Sequence, residues 1–241
     1  MKQRANLECI NPKCKKEFPI MSFQIRCDMC DYLLDVNYKE TPSTNLKEVF
    51  YGRHNPQGSI YNESGVWRFR ELLNFCEIDT EQIEQCSKFL VSLDGSEGRL
   101  SKPYHMTKVS NFVDINNENL MLQPEGYNPS GSFKDNGMSA AVTHAKMMGA
   151  KKIICASTGN TSASAGMFAA NENMECDVYI PDGQISPGKL SQAYQFGTQM
   201  IKVNGNFDDA FEKSLSAAKQ KGSYTVNSVN PFRIEGQKTI L

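Results

Sequence analysis

The sequence predicts an α/β protein of open parallel sheets with flanking helices, preceded by a small cysteine-rich ribbon. Three observations carry this reading. From about residue 120, short apolar and β-branched runs alternate with helical segments through short connections. Cap and breaker residues stand at the junctions between them. Four of the eight cysteines crowd into the first 30 residues as two close pairs.

The elements follow in order. Residues 1–38 hold the cysteine pairs and little apolar sequence. Residues 39–65, rich in Pro, Gly, Asn and Ser, read as loop or extended connection. GVWRFRELLNF opens an ordered segment, and the polar stretch 76–119 has no assignable fold. NPSGSF then leads into a helix from Lys134 to Met148, stopped by Gly149. KKIICAS is a strand, and STGNTSASAGMFAANEN is a turn opening a helix of small residues. CDVYIP is the next strand. PGKLSQAYQFG is a helix with Pro187 suited to its first turn and Gly197 to its stop. GTQMIKV is a third strand. Asn206 caps a helix whose apolar positions Phe207, Ala210, Phe211, Leu215 and Ala218 follow helical spacing. SYTVNS is the fourth strand, and no internal repeat is visible. The chain stops at QKTIL, inside what reads as the start of a helix. It is therefore expected to be a fragment.

Composition narrows the function classes. The chain is 39% apolar, 10% aromatic and 22% charged, as for a soluble globular protein, and its formal net charge is −1. That balance leaves no electrostatic footprint for nucleic acid or an acidic membrane. No apolar run approaches a bilayer span, and MKQRANLECI lacks the apolar core of a secretory signal. Paired and scattered thiols in a chain of this length fit a metal site in a reducing compartment, so a cytoplasmic location is expected.

Three clusters carry chemistry. Pro129, Ser130, Gly131 and Ser132 form a tight approach to a helix with Lys134 in its first turn. An ammonium there faces the positive end of the helix dipole, which favours the neutral amine. A lysine of lowered pKa attacks aldehydes and moves protons. Alone, such a lysine is more often a solvated surface residue. The second cluster groups Ser157, Thr158, Asn160, Thr161 and Ser162 at a strand-to-helix turn, where backbone N–H groups hold carboxylates or phosphates. One hydroxyl would suffice for an ordinary cap. The third, VNSVNPFRIEGQK, again follows a strand, and its Asn227, Ser228 and Arg233 could meet a second anion. By itself it reads equally well as a surface turn.

NPSGSFKDNGM, ASTGNTSASAG, NGNFDDAF and NSVNPFRIEGQKT, in this order and spacing, resemble the threonine synthases. These belong to the tryptophan synthase β-type, or fold type II, pyridoxal-phosphate enzymes. The close resemblance covers about residues 120–241; SGVWRFREL matches less specifically, and the cysteine-rich start is similar to a small ribbon found in many members. STGNTS separates the chain from relatives such as cysteate synthase. The resemblance implies pyridoxal 5′-phosphate as cofactor and O-phosphohomoserine as small-molecule substrate, turned over by a carbon–oxygen lyase reaction acting on phosphates. It implies that Lys134 is the Schiff-base lysine and proton-transferring base, and that Asn160 bonds the cofactor's phenolic oxygen. Ser157, Thr158 and Asn160 would hold the substrate carboxylate. Thr161, Asn227, Ser228 and Arg233 would bind its phosphate. The alternatives are another pyridoxal-phosphate lyase for a phosphorylated hydroxy-amino acid, and a non-catalytic relative. A homo-oligomer is compatible with the sequence, which does not specify one.

The implied domain plan is a ribbon-like segment over 1–38, the first part of a large domain over 39–128, a small open α/β domain over 129–230 and the start of the remaining large domain over 231–241. Departures from the family pattern are clear. The glycine-asparagine loop that cups the cofactor phosphate is absent, and GNFDD at 205–209 is too acidic to replace it and reads as helix capping. The residue that partners the pyridine nitrogen is absent too. Both absences agree with a fragment that binds cofactor poorly and is inactive alone. GSEGRLSKPYHM keeps Gly98 of an upstream motif but not its Thr-Pro-Leu portion, and Asn136 stands where relatives carry arginine.

Cys9 and Cys14 have four residues between them, Cys27 and Cys30 two, and twelve separate the pairs. These spacings suit a tetrahedral structural zinc with four thiolates, and a metal-free ribbon held by packing is the alternative. His54, His105 and His144 show no ligand spacing and are expected to be structural or exposed.

Overall fold

The computed structural model describes residues 4–39, 45–53, 60–76, 107–116, 120, 122–183 and 187–240. The chain opens with an antiparallel sheet of β1 (Ala5–Cys9), β2 (Glu17–Pro19) and β3 (Leu34–Tyr38), in the order β2-β1-β3. Its apolar residues are few, but Ala5, Leu7, Phe18, Ile20, Leu34 and Val36 are all buried. They join one hydrophobic core with Trp67, Phe75, Val142 and Phe232, so the ribbon is packed onto the rest of the chain.

One expectation for the connection fails. Within 39–65, read as loop or extended chain, residues Leu46–Gly52 form helix α1. Leu46, Val49 and Phe50 share one side at helical spacing, and Phe50 packs edge-on against Phe69 at 4.9 Å. The flanking Pro, Gly and Asn hid this short period. A 3-10 stretch, Trp67–Leu72, then buries Trp67, whose indole N–H donates to Ser139 Oγ at 2.8 Å. Within the unassigned stretch, Thr107–Phe112 forms α2. Gly98, His54 and His105 lie outside the described residues.

The predicted alternation is present. Helix α3 (Lys134–Met147) is buried on every side from Asp135 to Ala145, which is why its small residues show almost no amphipathic stripe. Then follow β4 (Lys152–Ala156), α4 (Asn160–Asn171), β5 (Glu175–Pro181), α5 (Pro187–Gln195), β6 (Gln199–Val203), α6 (Phe207–Ala217), β7 (Ser223–Thr225) and α7 (Pro231–Gln237). Asn206 caps α6 in a full capping box with Asp209, as the acidic GNFDD stretch suggested. The four strands are parallel in the order β6-β5-β4-β7, with Ile153 beside both Cys176 and Tyr224.

This order places a switch point. The chain steps from β4 to β5 to β6 in one direction, then crosses back to lay β7 on the far side of β4. Right-handed crossovers put α4 and α5 on one face of the sheet and α6 on the other. Open α/β sheets bind ligands in the crevice outside the carboxyl ends of the strands at such a point, here the ends of β4 and β7. The loops after those two strands are residues 157–159 and 226–230.

Candidate active site

Lys134 is the first residue of α3 and is half-buried. Its Nζ lies 4.2 Å from the centre of the Phe133 ring. Its pKa is lowered, first by burial and second by the positive field of Arg233. The direction agrees with the sequence reading; the larger cause is desolvation, where the helix terminus had been invoked.

The residue that fixes this turn is one the sequence reading passed over. Asp135 is fully buried and accepts three hydrogen bonds: from Ser130 N–H at 2.8 Å, Ser130 Oγ at 2.5 Å and Ser164 Oγ at 2.6 Å. It therefore ties the loop before Lys134 both to the start of α3 and to α4. Burial raises its pKa, and the serine donors pull against that. An aspartate in a first helical turn is a visible signal, but its distant partner Ser164 is not. Asn128 closes the same loop, donating from Nδ2 to Ser132 O and Asn136 Oδ1, both at 3.1 Å.

After β4, Ser157 and Thr158 are half-buried, Asn160 is exposed and Thr161 is half-buried at the start of α4. No side chain caps this helix, whose N-cap is Gly159. Ser157 Oγ accepts from Gly159 N–H at 3.2 Å, and Ser162 Oγ donates back to Gly159 O at 2.6 Å. The polar cluster thus shapes the turn and leaves the helix start to other acceptors.

After β7, Asn227 is buried and both ends of its amide meet the backbone of Ala156. Ala156 N–H donates to Oδ1 at 3.0 Å, and Nδ2 donates to Ala156 O at 2.9 Å. The side chain continues the ladder beyond the last paired residues and splices the two loops together. Ser228 is exposed. Asn230 caps α7 by accepting from Phe232 N–H at 2.9 Å.

Arg233 is 1% exposed. Its Nη1 donates to Val226 O at 2.7 Å, while Nε and Nη2 have no hydrogen-bond partner among the described residues. Burial lowers its pKa to about 10. A buried guanidinium with two unmatched nitrogens costs several kcal/mol unless an anion meets it. The crevice thus brings together an amine with a weakened hold on its proton, an uncapped helix start and an unmatched guanidinium. These residues fit a cofactor that bonds a lysine and a substrate that carries anionic groups.

The comparisons agree. A family model described as pyridoxal-phosphate dependent enzyme matches residues 101–241, more than half of the chain, and the chain belongs to that family. It is similar to the threonine synthase of Methanocaldococcus jannaschii, 37% identical over 95% of this chain and 51% of that protein. It is also similar to the threonine synthase of Bacillus sp. strain ULM1, 56% identical over 48% of this chain and 33% of that protein. The chain therefore spans from a third to about half the length of these relatives. Among solved structures, the apo Escherichia coli diaminopropionate ammonia lyase superposes with a TM-score of 0.52 at 15% identity, covering 67% of this chain and 49% of that one. That likeness concerns the fold alone, which is fold type II.

The cysteines meet as well. The four thiol sulfurs of Cys9, Cys14, Cys27 and Cys30 lie within 4.8 Å of one another, with Cys9–Cys30 at 3.5 Å and Cys14–Cys27 at 3.7 Å. Thiolates about 2.3 Å from a tetrahedral zinc stand about 3.8 Å apart. The Cys30 thiol is pulled down to about 7, mainly by the backbone N–H of Tyr32. The donor set and its spacing fit a structural zinc.

Proposed function

We propose that the full-length protein is a threonine synthase, converting O-phospho-L-homoserine and water to L-threonine and phosphate. The observation that carries this reading is Arg233, a buried guanidinium with two unmatched nitrogens at the switch point, close enough to lower the pKa of Lys134. Relatives named as threonine synthases support the choice among pyridoxal-phosphate enzymes.

Lys134 would hold the cofactor, and Asn160, exposed at the start of α4, would bond its phenolic oxygen. When bound, pyridoxal phosphate supplies an electron sink for charge developing at the substrate carbons. Residues 157, 158 and 160 orient the substrate carboxylate against the uncapped amides of α4. Lys134, its pKa lowered, moves protons at Cα and Cβ. Arg233, with Thr161, Ser228 and the remaining N–H of Asn227, takes the phosphate as it leaves Cγ, and water adds at Cβ. Asn227 also holds the two loops at a constant spacing. Cys9, Cys14, Cys27 and Cys30 would bind a structural zinc. Cys9, Cys14, Cys27, Cys30, Cys155 and Cys176 are free thiols, which supports a reducing, cytoplasmic setting. No helix among the described residues is long and apolar enough to cross a membrane.

The test uses full-length protein loaded with cofactor. O-phospho-L-homoserine should yield threonine and inorganic phosphate in equal amounts. Arg233→Ala should raise KM by on the order of tenfold to a hundredfold while the cofactor stays bound, as loss of a charged hydrogen-bond donor predicts. Equal losses of cofactor and substrate affinity would remove Arg233 from the phosphate site.

A further inference from the structure

Helix α7 is held between two surfaces. On one side it lies against α3, so close that a Cβ on Gly236 would stand 2.1 Å from Asn136 O. Arg233 lies on this side, with Nη1 on Val226 O and Nε 3.1 Å from where a Cβ on Gly137 would stand. On the other side Glu235, 4% exposed, accepts a hydrogen bond from the Tyr38 hydroxyl of β3 and an ion pair from Lys238 at 2.6 Å. Residues two apart on a helix point about 200° from one another, so Arg233 and Glu235 face opposite ways. The ribbon holds the back of the helix whose front carries the guanidinium.

Two more ties lead to the same place. Ile20 O, just past β2, accepts from His144 Nε2 at 2.8 Å. The His144 ring stacks on Phe232, the residue before Arg233, with centres 3.6 Å apart. Phe23 packs on Tyr224 of β7 at 4.7 Å, two residues before Val226, whose carbonyl receives Arg233. The cysteine cluster sits at the opposite end of the ribbon sheet: Cys9 pairs with Leu34, and Ala5 pairs with Tyr38.

We infer that the ribbon is a positioning module for the anion end of the crevice, with Tyr38 bracing α7 through Glu235 so that Arg233 presents its two unmatched nitrogens at a constant place. This rests on the reading above that Arg233 receives the phosphate group. It assigns the ribbon a part in substrate affinity, beyond holding the N-terminus.

The experiment measures binding of inorganic phosphate to full-length, cofactor-loaded protein by calorimetric titration, beside steady-state kinetics. Tyr38→Phe should weaken phosphate binding by about threefold to tenfold, the value of one hydrogen bond. KM should rise by the same factor, with kcat and cofactor absorbance unchanged. Glu235→Ala breaks the contact from the helix side and should act likewise. Glu235→Gln keeps an acceptor for the Tyr38 hydroxyl and should restore phosphate affinity to within about twofold. Arg233→Ala is the reference and should abolish binding. If Arg233→Ala fails to bind while Tyr38→Phe and Glu235→Ala bind as well as wild type, the ribbon does not position the site. Should Arg233→Ala bind phosphate normally, the anion-site reading itself fails, and the inference with it.

Discussion

At Lys134, burial and the charge of Arg233 act in the same direction, and both weaken the hold of the amine on its proton. A lysine bonded to pyridoxal phosphate absorbs visible light, so full-length protein should show that band and Lys134→Ala should lose it. Retention of the band in the variant would remove Lys134 from the cofactor site. Its neighbour Asp135 acts through the loop, not on the chemistry. Asp135→Asn replaces an acceptor of three hydrogen bonds with an amide that matches them poorly. It should cost about 1–3 kcal/mol of stability, read from denaturant unfolding. Ser164→Ala should cost less, because the two bonds from Ser130 remain. A wild-type midpoint for Asp135→Asn would show that the loop is held by other contacts.

Between elements, the closest packing is α3 on α7. A methyl added at Gly137 would stand 2.7 Å from Arg233 O, and one at Gly236 2.1 Å from Asn136 O. Both are shorter than any real Cβ contact, and both neighbours are backbone that cannot swing away. Ordinarily Gly→Ala within a helix stabilises it. Here Gly236→Ala should force the helices apart, costing about 1–3 kcal/mol as overpacking does and displacing Arg233. A melting temperature equal to or above wild type would show that the two helices are free to separate.

For the molecule as a whole, His144 is the joint between ribbon and sheet. Ile20 O can only accept, so His144 Nε2 carries the proton and Nδ1 accepts from Tyr224 OH at 2.7 Å. Burial lowers its pKa from 6.5 to about 4, the backbone bond to Ile20 opposing in part. Folding therefore expels a proton between those values. The contribution of His144 is complete above about pH 6.5 and is lost as pH falls through the window toward pH 4, about 3 kcal/mol at its end. Unfolding free energy measured from pH 7 to pH 4 should fall along this limb, and His144→Gln should flatten it. An unchanged slope in the variant would assign the acid limb to other groups. At the other end of the ribbon, purified full-length protein should carry about one zinc per chain. Removing it with a chelator should lower the melting temperature; protein folded normally at near-zero zinc would leave packing alone to hold the ribbon.

The strand–helix alternation, most caps and stops, and the clusters at 157–161 and 227–233 were legible in the sequence because each follows from local rules of period, turn chemistry and charge. Asn206 capping α6 and Pro187 opening α5 are such cases. Helix α1 was missed because its period is short and its flanks are rich in turn residues. The sequence by itself thus determined the fold class, the family resemblance and the polar residues offered to a ligand. Only the tertiary structure decided how they meet. The order β6-β5-β4-β7 brings two loops, separate in sequence, to one crevice. Close packing on α3 buries Arg233 and leaves two of its nitrogens unmatched, and Asp135 finds Ser164 twenty-nine residues away. The physical reason is that burial and long-range pairing depend on which elements become neighbours. No local window of sequence contains that.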